Sequence, residues 1–397
     1  MTKNKYIKKL AILGASYLQV PLINKANEMG LETHVFAWED GAVGKEMASH
    51  FYPISILNKE DILQKCKEIG INGITTIGTD IAMPTVNYIA NKLNLIGNTL
   101  EATFISTDKY EMRKALLSKN IPCPRFSFYG LDNFQNHEGL EFPLIVKPTD
   151  RSGSRGVTKV NSIDEANKAI LKALDISINK RVIVEEFIKS DREFSVEFIS
   201  FNGKHYPLAI TDKITTREPF FVEIAHHQPA DVSNEIANKI YKVTIDVLNA
   251  LNIKNGASHT EVYLLNNDEI RVVESAGRMG GELIGSHMVP LSTGFDFLMA
   301  TIDVALNQFD FDKYQSIPKN SFSGVYYIVA KPGKVVRIIN KSIEFTDIVY
   351  CEPLCKVGDM IDSLVDGADK RSGIMVYSSD ISNPIANPNN ILHILTN

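Results

Sequence analysis

Cysteine is scarce in this chain. Four occur in 397 residues, and Cys351 and Cys355, four apart, have no second pair or histidine cluster nearby. That spacing excludes a cysteine-based zinc site and leaves free thiols. A long basic run is also missing. With a formal net charge of -5 there is no electrostatic footprint for a nucleic acid, so none is expected as a partner. The start of the chain, Met1 to Lys9, is basic, but the apolar stretch behind it breaks at Gly14 and turns polar. Neither a signal peptide nor a membrane span is expected there, and the protein is read as cytoplasmic, without a membrane partner. Three nucleotide signatures are incomplete or absent. No Gly-X-X-X-X-Gly-Lys-Ser/Thr loop and no His-Arg-Asp with Asp-Phe-Gly pair occurs, which removes the P-loop and kinase readings. Gly14-Ala15-Ser16 lacks the second and third glycines of a dinucleotide fingerprint and reads as a structural turn. What is present, 44% hydrophobic and 22% charged residues, suffices for a sizeable core divided over two or three domains.

Against that background stands an ordered set of charged and glycine-rich segments. Glu261 and Glu274 lie thirteen residues apart, a spacing that puts two carboxylates on neighbouring strands of a hairpin, with Arg278 just beyond. Mg²⁺ prefers oxygen ligands, commonly two carboxylates completed by phosphates and water, and an arginine can stabilise a phosphoryl group in transfer. Upstream, Asp108-Lys109 opens a helical stretch, and Phe142 to Pro148 is an apolar strand that delivers Lys147. The loop Asp150 to Val157 holds Ser152, Gly153, Ser154 and Gly156, a composition that lets backbone N–H groups approach phosphate oxygens. Val182 to Ile188 reads as a buried strand running into a connector whose backbone could read an adenine edge. Glu193, a few residues on, could accept both ribose hydroxyls. Each segment alone is weak; their order is the signal.

In that order the segments resemble the ATP-grasp superfamily, and within it the carboxylate-amine ligases, over the whole length of the chain. The resemblance implies an α/β (α+β) ATP-grasp fold. It would comprise an N-terminal Rossmann-like pre-ATP-grasp domain (1-106), the ATP-grasp domain (107-310, with a lid near 124-185) and a small β-rich C-terminal subdomain (311-397). It assigns Lys109 and Lys147 to the ATP phosphates, Ser152 to Gly156 to the loop that covers them, and Glu185, Glu186, Phe187 and Ile188 to the adenine hinge. Glu193 would take the ribose, ahead of Glu197, and Lys213 the nucleotide. Glu261 and Glu274 would hold Mg²⁺, for which Mn²⁺ could substitute, and Arg278 would lie against the γ-phosphate and an acyl phosphate. The activity implied joins a small-molecule carboxylate to an amine by a C–N bond, with ADP and phosphate released. Related enzymes are often dimers, so a homodimer is one assembly the resemblance implies.

The chain departs from the family pattern at Ala276, where many members carry the asparagine of Glu-X-Asn. The segment Glu274 to Glu282 instead is similar to the form found in ATP-grasp L-amino acid ligases, and on that likeness Gly280, Gly281 and Glu282 are substrate candidates. Purine-pathway ligases using formate, bicarbonate or a ribonucleotide, and a non-catalytic ATP-binding regulator, are the alternatives. For His226 and His227, in the less regular stretch Thr211 to Pro229, two readings stand together: a substrate contact, or one ring satisfied by backbone and one exposed. Leu10 to Leu13, Val20 to Met29 and Thr33 to Ala37 form a βαβ pattern, and Gly73 to Ile77 is a further strand ending at Asp80. In the family such sheet edges face the carboxylate substrate, so the resemblance makes Asp80 and Glu39 candidates there, beside the reading of each as a solvated loop acid. Ser323 to Val329 and Val335 to Ile339, around Lys331-Pro332-Gly333-Lys334, read as a hairpin.

Overall fold

The computed structural model describes residues 7–129, 139–190, 192–216, 222–362 and 370–397. The basic start through Tyr6, part of the expected lid, Asp191 and the middle of the Thr211 to Pro229 stretch lie outside the described residues. Alternating apolar strands and amphipathic helices build the first layer: β1 (Lys9–Leu13), α1 (Val20–Glu28), β2 (Glu32–Phe36), β3 (His50–Tyr52), α2 (Lys59–Ile69), β4 (Gly73–Thr75) and α3 (Met83–Lys92). The strands are parallel in the order β3-β2-β1-β4. Because β1 is covered on both faces, Leu10 to Leu13 is fully buried rather than alternating. Helix α1 buries Leu22, Ile23 and Ala26, one stripe at helical spacing.

Two helices, α4 (Leu100–Thr107) and α5 (Lys109–Ser118), lead to a four-stranded sheet of β5 (Phe126–Tyr129), β6 (Leu144–Pro148), β7 (Thr158–Val160) and β8 (Val182–Glu186), in the order β5-β8-β6-β7. Helix α6 (Ile163–Ile176) covers it, capped by the Ser162 hydroxyl and burying Ala166, Ala169, Ile170, Ala173 and Leu174. The eight-stranded antiparallel sheet begins with β9 (Arg192–Phe201), β10 (Lys204–Thr215) and β11 (Glu223–Gln228). After α7 (Asn234–Ala250) it gains β12 (Gly256–Leu264) and β13 (Ile270–Ala276). Beyond α8 (Val289–Thr293) and α9 (Phe297–Ala305), it is completed by β14 (Phe322–Ile328), β16 (Ile348–Pro353) and β18 (Gly373–Ser379), in the order β13-β12-β9-β10-β11-β14-β18-β16. On β9 the period of two sends Phe194, Val196 and Phe198 into a core with Ile240, Val247 and Leu248 of α7. Glu193, Ser195 and Glu197 therefore face the other way.

Two expectations are corrected. The described parts of Thr211 to Pro229 fall on two strands, β10 and β11, paired from Asp212 with His227 to Thr215 with Glu223, with a register shift between Ile214 and Thr215. The hairpin read around Gly333 does not form: β14 pairs with β11 and β18, whereas β15 (Gly333–Asn340) pairs with β17 (Met360–Ile361) and β19 (Leu392–Thr396). A bend at Pro332 occupies the interval, but its flanking strands enter different sheets. Among the described residues no helix is long and apolar enough to cross a membrane, and the four cysteines are free.

Candidate functional site

Sheet register lays out the site. Lys213 on β10 lies opposite Glu193 on β9 and His226 on β11, and Glu193 lies opposite Tyr263 on β12. One row across the sheet thus reads Tyr263, Glu193, Lys213, His226. Directly opposite residues share a face and touch. Two residues along, Glu261 pairs with Glu274 on β13, so the two carboxylates stand side by side as the spacing predicted.

Each carboxylate meets a lysine. Lys213 Nζ lies 2.7 Å from Glu261 Oε1, 2.8 Å from Glu193 Oε1 and 3.6 Å from a Glu223 oxygen. Burial disfavours its charge, yet three carboxylates outweigh that and raise its pKa well above the lysine range. Glu261 is likewise opposed by burial, but Lys213 and the His259 imidazole hold it well below the usual carboxylate range. Glu193 goes the other way: burial, with Glu261 close by, outweighs Lys213 and raises it. Lys109, at the start of α5, reaches Glu274 Oε1 and the Arg151 carbonyl, both at 2.7 Å. The Asp108 carboxylate caps that helix by accepting from the amides of Tyr110 and Glu111.

Lys147 on β6 lies 2.6 Å from Glu185 on β8, and Arg113 donates to the same carboxylate at 2.8 Å. Glu185 and Lys147 are buried. Burial pulls the Lys147 ammonium down despite Glu185, while Arg113 and Lys147 overcome burial to hold Glu185 low. The two directions pull against a simple pair. Glu185 is ionised, because Arg113 neutralises it independently of Lys147. The Glu185 side chain is thereby committed to ion pairs. In the expected hinge the amides of Glu186 and Phe187 donate to the carbonyls of Arg125 and Pro143, so a base edge would be read by other groups of the segment.

Arg278 is gripped by Asp80: Nε and Nη2 donate to the two carboxylate oxygens at 2.8 Å each. Burial works against Asp80, but Arg278 keeps it below its ordinary value. This corrects the reading of Asp80 as a solvated acid; the Glu39 side chain, by contrast, is 72% exposed.

These groups converge on one open cleft. Ile145, Phe187, Ile188 and Tyr263 give it an apolar wall, and Ser152, Gly153 and Ser154 form one rim. Glu186, Glu193, Lys109, Lys147, Lys213, Glu261, Glu274 and Arg278 also face it. Gly156 does not line it; its positive φ of 77° and a built Cβ 3.1 Å from Pro148 explain the glycine. A second cavity adjoins, sharing Lys213, Glu223, Glu261 and Arg278 and adding His226, Gly281 and Glu282. Gly280 and His227 line neither. A Cβ at Gly280 would lie 2.6 Å from Glu197 Oε1, so that glycine makes room for packing. His227 Nδ1 bonds the Tyr377 hydroxyl at 2.9 Å.

His226 is 1% exposed with neither ring nitrogen partnered. Burial, then Lys213 and Arg371, push it well below the histidine range, so it is neutral. Neither ring matches the reading of one satisfied by backbone and one exposed. Sequence reasoning missed three groups. Arg371 joins Glu223 (2.8 Å) and Glu282 and stacks on Tyr327; no local signal ties it to residues about ninety and 150 positions away. His259 bridges Glu197 and Glu261, and its place two residues before Glu261 on a strand could have revealed it. Arg113 had no signal beyond its helix. Glu197 is wholly buried, accepting from His259 and the Gly280 amide, so Glu193 is the acid open to the cleft.

As a test of fit to a divalent cation, the donor set is two adjacent carboxylates, one held strongly ionised, whose described ion pairs each use Oε1. Such hard oxygen donors suit Mg²⁺.

Residues 140–286 match the model of the ATP-grasp domain family. Alanine--anticapsin ligase of Bacillus amyloliquefaciens is 27% identical over 288 residues, 66% of this chain and 58% of that protein. A formate-dependent phosphoribosylglycinamide formyltransferase of Prochlorococcus marinus is 27% identical over 273 residues, 64% of this chain and 66% of that one. The chain spans about half to three fifths of the length of the first curated relatives it matches. Among solved structures, an L-amino acid ligase from Bacillus licheniformis superposes with a TM-score of 0.83 at 23% identity, covering 99% of this chain and 100% of that one.

Proposed function

The chain carries an ATP-grasp domain in an ATP-grasp fold, and from that premise we propose that it is an ATP-dependent carboxylate-amine ligase acting on an amino acid. The observation that carries the proposal is the convergence of Lys109, Lys147, Lys213 and Arg278 with the paired carboxylates Glu261 and Glu274 on one cleft, beside a second cavity that adds Glu282 and His226. The first cleft takes ATP. Ile145, Phe187, Ile188 and Tyr263 pack on the base, Glu193 accepts the ribose hydroxyls, and Lys109 and Lys147 hold phosphate oxygens. Glu261 and Glu274 hold Mg²⁺, or Mn²⁺ in its place, which when bound neutralises phosphate charge.

A carboxylate is a poor electrophile, so its oxygen first attacks the γ-phosphorus; the bond to ADP breaks and an acyl phosphate forms. Arg278, fixed by Asp80, stabilises the charge on the group in transfer. The lone pair of an amine then attacks the acyl carbon, the bond to phosphate breaks, and the amine proton leaves to solvent. The Ser152 to Ser154 rim excludes water, which would otherwise hydrolyse the acyl phosphate. In the second cavity Glu223 and Glu282 hold Arg371, and His226 offers a neutral acceptor whose nitrogens a ligand would satisfy. The 27% identity to the anticapsin ligase supports an amino-acid substrate; the equal identity to the formyltransferase supports a second reading, formate with a ribonucleotide amine.

The test is ADP release with Mg²⁺ and ATP against the twenty amino acids, singly and in pairs, with formate and bicarbonate alongside. Stimulation by an amino acid or a pair is expected. Stimulation by formate or bicarbonate alone would transfer the proposal to the second reading, and ATP binding without stimulated turnover would leave a nucleotide-binding regulator.

A further inference from the structure

Glu32, His34 and His50 meet on the N-terminal sheet, outside both cavities, and the ligase chemistry does not use them. Glu32 and His34 are two residues apart on β2, so they share a face. Parallel register places His50 of the edge strand β3 opposite His34. The result is two imidazoles and a carboxylate in one patch. Glu32 Oε1 lies 2.9 Å from His34 Nε2 and 3.4 Å from His50 Nε2, and one ligand atom from each residue lies within 4.8 Å of the others. In a tetrahedral site with bonds of ~2.0–2.1 Å, neighbouring donors stand roughly 3.3–3.4 Å apart. Two of the three edges are already within a few tenths of an ångström of that.

The third edge needs the His50 ring to swing out of its stack on His34, because rings only 14° from parallel do not aim their in-plane lone pairs at one point. The two rings stack with centroids 4.8 Å apart, and His50, whose side chain is 51% exposed, is free of the packing that fixes His34. His34 itself is buried, and its other nitrogen, Nδ1, lies 3.1 Å from the Tyr52 hydroxyl. A hydroxyl both donates and accepts. It can therefore donate to Nδ1 while Nε2–H points at Glu32, or accept from Nδ1–H once the Nε2 lone pair is given to a metal. A partner of this kind on the second nitrogen is what orients ligating histidines.

We propose that Glu32, His34 and His50 form a three-ligand site for a borderline divalent cation of the zinc class, with its fourth position open to water. Nitrogen-rich donors separate this site from the all-oxygen Glu261–Glu274 pair, since imidazole favours zinc, cobalt or nickel over magnesium. The bound ion cross-links β2 to β3, a strand only three residues long.

The test uses the full chain, stripped with chelator and held in excess Mg²⁺ to occupy the oxygen pair, then titrated with Co²⁺ and back-titrated with Zn²⁺. One equivalent of Co²⁺ with an intense visible band of tetrahedral type, displaced by Zn²⁺, is the expected result. His50→Ala should weaken it by ~10-fold or more while ATP binding stays unchanged, and His50→Gln should do the same if alanine perturbs folding. Weak octahedral-type absorption in the wild-type chain, or Co²⁺ affinity in both variants equal to that of the wild-type chain, would overturn the proposal and leave the rings as a stacked pair. Because neither cleft contributes a ligand, failure here would leave the ligase reading intact, and the reverse.

Discussion

At the scale of single residues, the arrangement of Arg278 separates its contribution to stability from its contribution to chemistry. Asp80 holds the Nε–Nη2 edge of the guanidinium, so removing the arginine alone would leave a poorly solvated carboxylate without its counter-charge, and lost stability would be confused with lost catalysis. Removing both charges avoids that. The double variant Arg278→Ala/Asp80→Ala is expected to keep a thermal midpoint near that of the parent while ATP-dependent turnover falls on the order of a hundredfold or more, as for other electrostatic stabilisers. Midpoint by calorimetry and ADP release on the same preparation decide it. Turnover within a few fold of the parent would remove Arg278 from the reacting centre. A midpoint many degrees lower would mean that the pair serves chiefly to fix the fold.

At the scale of elements, strands β9 and β12 are tied by Glu197 and His259, which lie directly opposite one another. Burial disfavours charge on the His259 ring, but Glu197, with Glu261 behind it, raises its pKa to about 9. The folded chain therefore keeps a proton that the unfolded chain, with an ordinary histidine near 6.5, gives up. That contribution is complete below about pH 6.5 and is lost as pH rises through about 9, at up to roughly 1.4 kcal/mol per pH unit in between. The near-isosteric variant His259→Gln/Glu197→Gln removes both charges. Urea unfolding from pH 6 to 10 should give a smaller fall for the variant than for the parent, with the difference confined to that window; superimposable slopes would put the ring neutral in the folded state. Much at this scale was legible in sequence. Helix α6 follows from its alanine and isoleucine spacing, and the Glu261–Glu274 pair from a thirteen-residue hairpin. The false hairpin around Gly333 has a physical reason: Pro332 and Gly333 specify a turn, but a turn does not choose the partners of its flanking strands. Arg371 was illegible for a related reason, since only the place of β18 two strands from β11 brings it to Glu223.

At the scale of the molecule, the boundary drawn at residues 106 and 107 is not a boundary in the core. Leu10, Ile12, Leu22 and Ile23 of the first layer share one apolar cluster with Ile199, Ala257, Phe295 and Phe297 of the next. Polar links run beside it. Gly78 donates its amide to the Met279 carbonyl at 3.2 Å, Asn98 donates to the Asn255 carbonyl at 2.8 Å, and Lys25 pairs with Asp296 at 3.1 Å. Alone, the first layer would expose the face of β1 and α1 that packs on α9, an apolar surface isolated domains rarely tolerate. The two parts should therefore unfold together. Calorimetry of the whole chain is expected to give one transition spanning both, and ATP with Mg²⁺ should move it upward as a unit, because a ligand bound only by the folded state stabilises everything cooperative with its site. Two resolved transitions, with the nucleotide shifting one alone, would make the first layer an independent domain. In that case the Asp80–Arg278 bridge would be a contact that opens and closes between bodies, rather than a fixed wall of the cleft.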